Sequence, residues 1–124
     1  MSIEADLTHT IICCAIEVHK ELGPGLLEST YEAALARELT LLGVPIQKQL
    51  PMPLRYKGEE LDCGYRIDLL VWSEVIVEIK SVIALLPIHE AQLMTYLKLA
   101  GKRTGLLINF NVQQLRDGIR RFVL

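Results

Sequence analysis

Asp68, Glu78 and Lys80 are the residues of this 124-residue chain whose types and spacing could do chemistry together. Two carboxylates held side by side repel each other, which is costly unless something compensates their charge. A hard divalent cation such as Mg2+ would do so. It takes oxygen ligands, keeps several waters and needs only one or two carboxylates. A lysine beside such an ion would meet the bound water or a substrate phosphate. That combination suits metal-assisted hydrolysis of a phosphodiester.

Whether the three residues meet depends on the strands that carry them. Tyr65–Trp72 and Val75–Ser81 are the clearest strands of the chain, and side chains alternate faces along a strand. Tyr65, Ile67, Leu69 and Val71 share one parity with Val75, Val77 and Ile79, and this apolar face is expected to meet the main core. The other parity collects Arg66, Asp68, Glu78 and Lys80. A two-residue turn at Ser73-Glu74 would oppose Asp68 to Ile79. A three-residue loop, Trp72-Ser73-Glu74, pairs Val71 with Val75 and sets Asp68 beside Glu78 and Arg66 beside Lys80. Only the second register keeps the apolar faces together, and such loops are common in hairpins. Alternation alone leaves another reading open, in which Asp68–Arg66 and Glu78–Lys80 are surface ion pairs on a solvated face.

The flanking elements follow from periodicity. Ile3–Leu22 reads as a helix with Leu7, Ile11, Cys14, Ala15, Val18 and Leu22 on one face, ended by Gly23-Pro24-Gly25. A second helix spans Leu27–Leu42, with Tyr31, Leu35, Leu39 and Leu42 as its stripe. Ile46–Leu50 and Leu54–Tyr56 are short strands that Pro45, Pro51 and Pro53 push toward sheet edges. Lys57-Gly58-Glu59-Glu60 reads as a turn. Pro87 opens a third helix that runs to Ala100, and Thr104–Phe110 and Ile119–Leu124 are further strands. The order predicts one α/β domain over residues 1–124, a central mixed sheet flanked by helices.

Composition bounds the function. The net charge of −2 argues against a strongly basic, non-specific nucleic-acid binder. Three cysteines, Cys13, Cys14 and Cys63, form neither a disulfide framework nor a zinc spacing, and are expected to be buried, reduced thiols. Polar Ser2, Glu4 and Asp6 after Met1 do not form a secretory leader, and no apolar run reaches the ~20 residues of a membrane span, so a cytoplasmic location is expected.

Three motifs carry a family resemblance. Asp68, nine intervening residues and Glu78-Ile79-Lys80 resemble the D…(D/E)xK signature of the PD-(D/E)xK nuclease superfamily. Gln92-Leu93-Met94-Thr95-Tyr96 resembles the QxxxY motif of its RecB-like branch. Gly25-Leu26-Leu27-Glu28-Ser29-Thr30-Tyr31 resembles the motif of the GxxExxY proteins. Ile67 stands where the superfamily pattern has Pro. The resemblance covers nearly all of the chain from Cys13 and implies a restriction-endonuclease-like fold. It also implies Mg2+ or Mn2+ held by Glu28, Asp68, Glu78 and the Ile79 carbonyl, with Lys80 at the attacking water. Gln92 and Tyr96 would orient the ligands or the substrate phosphate. Nucleic acid is the implied substrate.

Other residues read more plainly. Tyr31 is expected in the core. His89 has no HxxxH companion and is expected in a supporting or surface position, and His9 and His19 outside catalysis. Lys98, Lys102, Arg103, Arg116, Arg120 and Arg121 could track phosphates, but a solvated surface accounts for them better. A rival to the enzyme is a nuclease-fold module that binds nucleic acid or a protein without catalysis. A homodimer, or a partner that supplies substrate recognition, fits the shortage of recognition loops. The apolar first helix and the terminal Phe122-Val123-Leu124 are candidate contacts.

Overall fold

Ile11, Ala15 and Val18 recur on one helical face, and they are buried on the first helix, α1 (Ile3–Leu22). The computed structural model describes residues 3–124, so Met1 and Ser2 of the polar opening lie outside it. The second helix, α2 (Glu28–Leu41), buries Tyr31, Leu35 and Leu39. Both stripes stop short of the expected ends, because Leu22 and Leu42 are 39% and 63% exposed. Leu27 and Leu42 cap α2 rather than belonging to it.

The remaining elements are β1 (Ile46–Pro51), β2 (Leu54–Tyr56), β3 (Glu59–Leu61), β4 (Arg66–Val71), β5 (Val75–Lys80), α3 (Pro87–Ala100), β6 (Thr104–Asn109) and β7 (Ile119–Val123). A 3-10 turn, Leu115–Gly118, leads into β7. Five strands form a mixed sheet in the order β1-β4-β5-β6-β7, with β5 and β6 parallel and the other pairs antiparallel. The crossover between the parallel strands is α3, as a parallel connection requires. Proline-bounded β1 takes a sheet edge, as expected. Glu59 and Glu60, expected in a turn, instead open β3, which pairs with β2; only Lys57 and Gly58 turn, both at positive φ.

Two apolar layers cover the sheet. On one face α1 and α2 pack on Leu69, Val71, Val75, Val77, Ile79, Leu106 and Ile108. On the other, Leu93, Tyr96 and Leu97 of α3 pack on Ile67, Leu70, Ile76 and Leu107. Central strands covered on both faces read as continuous apolar runs, and β5 and β6 do so except at Glu78 and the ends. Only Cys14 of the three cysteines is buried, against expectation, since Cys13 faces out of α1 and Cys63 sits in an exposed loop. Among the described residues no helix is long and apolar enough to cross a membrane.

The β4–β5 hairpin has the three-residue loop, pairing Val71 with Val75, Leu70 with Ile76 and Leu69 with Val77. Trp72 and Ser73 both adopt positive φ, and the Glu74 N–H returns to the Val71 carbonyl at 3.0 Å. This turn matches the twist of the flanking strands.

Among the glycines, Gly118 has the least room for a side chain. A Cβ there would collide with the Asn109 carbonyl oxygen, whereas one at Gly105 would meet only the movable side chain of Leu93. We therefore expect Gly118→Ala to destabilise the protein by about 2 kcal/mol or more and Gly105→Ala by less, read from urea midpoints. Equal midpoints for the two variants would contradict this packing.

Candidate active site

The regular alternation of β4 breaks at Asp68. Leu69 and Val71 pack under α1 and α2, but Ile67, of the same parity, packs under α3. The neighbouring edge strand breaks at the same level, because Ile46 lies against the α1/α2 layer and Leu50 against the α3 layer. The β1–β4 ladder pairs Lys48 with Leu69 and Leu50 with Ile67, and skips Gln49 and Asp68 between them. Gln49 has φ 51°, a left-handed conformation rare for a residue other than glycine. The expectation of one charged face from Arg66 to Lys80 is thus corrected. The sheet exchanges faces at Asp68, and Arg66 pairs with Pro51 and donates to the Gln49 carbonyl at 3.5 Å.

At this level β4 and β5 are joined by side chains. The Asp68 N–H donates to Glu78 Oε2 at 3.2 Å, and the Ile79 N–H donates to Asp68 Oδ2 at 2.9 Å. Each carboxylate therefore satisfies a backbone donor of the opposite strand. In a strand a residue's N–H and C=O point toward the same neighbour, so the Ile79 carbonyl faces this gap too. Gln49 Nε2 donates to Asp68 Oδ1 at 3.2 Å and also to Glu32 Oε1.

Glu78 is only 6% exposed, which rules out the solvated-face reading for it. Burial, and then the negative charge of Asp68, push its carboxyl up to about 9, while Lys80 opposes this only weakly. Such a shift marks a carboxylate whose charge lacks adequate compensation. Burial also raises Glu32, with Asp68 adding to it.

Glu28 reaches the same place from α2. It lines a cleft of about 260 Å³ with Ser29, Glu32, Gln49 and Asp68. Its Oε2 accepts the Ser81 N–H at 3.2 Å, and Ser81 Oγ donates to the Leu26 carbonyl at 2.6 Å. Tyr31 is fully buried, as expected, yet its hydroxyl also donates to the Gly23 carbonyl and accepts the Leu26 N–H. Its ring stacks on Phe110 with centroids 4.5 Å apart. Tyr31 thereby fixes the loop that delivers Glu28. Buried Asn109 holds the other side, accepting the Val82 N–H at 3.1 Å and donating to the Val82 carbonyl at 2.9 Å. Lys80 lies opposite Asn109 in the β5–β6 ladder.

On the α3 side, Gln92 Nε2 donates to the Tyr96 hydroxyl at 3.1 Å. Tyr96 is buried, and burial followed by the charge of Glu78 raises its phenol. Glu28, Asp68, Glu78, Ile79 and Lys80 thus gather where β4 and β5 part, and Tyr96 and Gln92 adjoin from below. His89 supports α3 instead, its Nδ1 accepting the Leu86 N–H at 3.0 Å. His19 bonds the Val112 carbonyl at 2.8 Å, outside the site. Arg120 and Arg121 lie on β7, two strands from β5.

Gln49, Glu32, Ser81 and Asn109 escaped the sequence reading. Glu32 alone carried a signal, four residues after Glu28 on one helical face. Nothing local announces a left-handed glutamine inside a strand.

The donor set fits a hydrated divalent ion. Two adjacent carboxylates and a backbone carbonyl face one gap, and Mg2+ needs no more than this from protein. Among the described residues no three His, Cys, Asp or Glu groups form a ready-made cage, so waters or substrate oxygens would complete the shell.

The buried acid has a measurable signature. Because folding raises the Glu78 carboxyl, its contribution to stability is full below about pH 4.5 and is lost as pH rises through about 9. In metal-free protein, Glu78→Gln should therefore gain on the wild type by up to ~1.4 kcal/mol per pH unit across that window. Urea titrations at pH 5, 7 and 9 measure it, and parallel pH profiles would contradict the assignment.

A family model described as the PD-(D/E)XK nuclease superfamily matches residues 5–122. No curated protein and no solved structure matches the chain. With a mixed sheet flanked by helices and a paired Asp68 and Glu78 at its split, the chain belongs to the PD-(D/E)XK nuclease superfamily and is a nuclease-type domain.

Proposed function

We propose that the chain is a Mg2+- or Mn2+-dependent phosphodiester hydrolase that acts on DNA or RNA. The observation that carries this reading is the burial of Glu78 against Asp68 without a matching positive charge. Asp68, Glu78, the Ile79 carbonyl and Glu28 would hold the ion. When bound, the ion supplies Lewis acidity toward a phosphate oxygen and lowers the pKa of a coordinated water.

The chain's own groups do the rest. Lys80, next to Ile79, orients the attacking water and stabilises charge that develops on the phosphate. Gln49 fixes Asp68 by its Oδ1, and the Ile79 N–H fixes the other oxygen. Tyr96 and Gln92 form a hydrogen-bonded floor on the α3 side of Glu78. Glu28, held by the Ser81 N–H, closes the site from α2. The motifs around Glu28 and Gln92 further suggest kinship with the GxxExxY proteins and the RecB-like branch.

A second reading is a nuclease-fold module that binds nucleic acid or a protein without cutting. It is favoured by the net charge of −2 and by the position of Arg120 and Arg121 away from the carboxylates. Substrate recognition would then come from a partner or a second copy.

Calorimetric titration of Mn2+ separates the two. The wild type should bind the ion and Asp68→Ala should not. Lys80→Ala should keep the affinity and lose cleavage of a mixed DNA and RNA substrate pool. Gln49→Gly tolerates the left-handed backbone but removes the amide, so it should stay folded and bind Mn2+ about 10-fold more weakly. Wild-type protein that neither binds Mn2+ nor cuts would favour the binding module.

A further inference from the structure

On the α3 side lies a cavity of about 370 Å³, within the range of small-ligand sites, whose wall includes Tyr96, the residue beneath Glu78. Tyr65, Tyr96, His89, Gln92, Thr95 and Leu54 are among its lining residues, and no Lys, Arg, Asp or Glu lines it. An uncharged wall beside a cluster of acids and a lysine divides the surface chemically. A phosphate belongs at Lys80, and an uncharged, flat, partly polar group belongs in the cavity.

The rings are arranged for such a group. Tyr65 immediately precedes β4, three residues from Asp68, or roughly 10 Å of extended chain. It is 45% exposed, lines the cavity, and meets Tyr96 in an edge arrangement with centroids 6.3 Å apart. Tyr96 belongs to both places, since it lines the cavity and feels the charge of Glu78. Gln92 gives its amide N–H to Tyr96 and retains its carbonyl oxygen as an acceptor, and the Thr95 hydroxyl lies one turn along the same wall.

We propose that this cavity takes one unpaired nucleobase of the strand being cut, stacked on Tyr65, and that the substrate is therefore single-stranded nucleic acid. The inference rests on the hydrolase reading for the phosphate at Lys80. Bases in a duplex are stacked and paired, and cannot enter a pocket without being flipped out at a cost. Base-on-aromatic stacking accepts any base, so the pocket selects strandedness rather than sequence.

The test measures binding of fluorescein-labelled oligothymidylate, and of the same strand annealed to oligoadenylate, by anisotropy with Ca2+ present. The wild type should prefer the single strand. Tyr65→Ala should weaken it about 10-fold, Tyr65→Phe should keep it within about twofold, and the duplex should respond little. Ala91→Trp, at an exposed cavity-wall position on α3, should block the pocket and match Tyr65→Ala. Mn2+ affinity, followed by calorimetry in the same variants, should not change. The pocket assignment is overturned if the duplex binds as well as the single strand, if neither binds, or if Tyr65→Ala and Ala91→Trp bind like wild type. Loss of Mn2+ binding in the wild type would strike the hydrolase reading instead, whatever the oligonucleotides do.

Discussion

The structure depends on an exchange between two neighbouring strands, in which each takes a backbone N–H of the other onto a carboxylate. Asp68 receives Ile79, and Glu78 receives Asp68. A sheet cannot leave ladder donors unpaired at its centre without a penalty. Here the side chains take the place of the missing carbonyls, so the strands can part without orphaned groups. The gap that opens is where acids can gather inside an otherwise apolar sheet. The cost appears as the raised carboxyl of Glu78. Ionising both acids here is costly without a cation between them, and the arrangement makes sense if a cation belongs there.

Around that exchange the chain adds restraints from three directions. The Tyr31 hydroxyl ties down the loop before α2, and Glu28 returns to the Ser81 N–H. Asn109 grips Val82 by both its amide N–H and its carbonyl. Gln49 accepts a left-handed backbone and in return places its amide between Glu32 and Asp68. These groups come from α2, β1, the segment after β5 and the end of β6, so the site is over-determined rather than hung on a single loop. Pre-organisation of this kind is what a charge-stabilising site needs.

The elements were legible because their signals are local. Helical stripes, the glycine stop after α1 and Pro87 opening α3 all act within a few residues. The hairpin register was legible because a one-residue slip would have sent Leu69 and Val77 to the wrong face. The pairing of Asp68 with Glu78 followed from that register. What escaped was non-local. The exchange of faces at Asp68 needs β1 and β4 to distort together, and Gln49 sits in a stretch that reads as plain alternation. Glu59 and Glu60 read as turn residues because their charge outweighed their pairing with β2. The exposure of Cys13 and Cys63 is likewise not legible, because the apolar character of a thiol does not say which face of its element it sits on.

The tie between Ser81 and Glu28 spans 53 positions of sequence, and the one between Gln49 and Asp68 spans 19. Contacts that close such long loops are entropically expensive and come after local structure. The helices and the β4–β5 hairpin, with its Asp68–Glu78 exchange, can therefore form before Glu28 and Gln49 are brought to it. A partly folded chain with only its local structure in place would hold Asp68 and Glu78 together but lack Glu28 and Gln49. For a domain of nuclease lineage this has a consequence: the complete set of residues proposed to hold the ion comes together only when the long loops have closed.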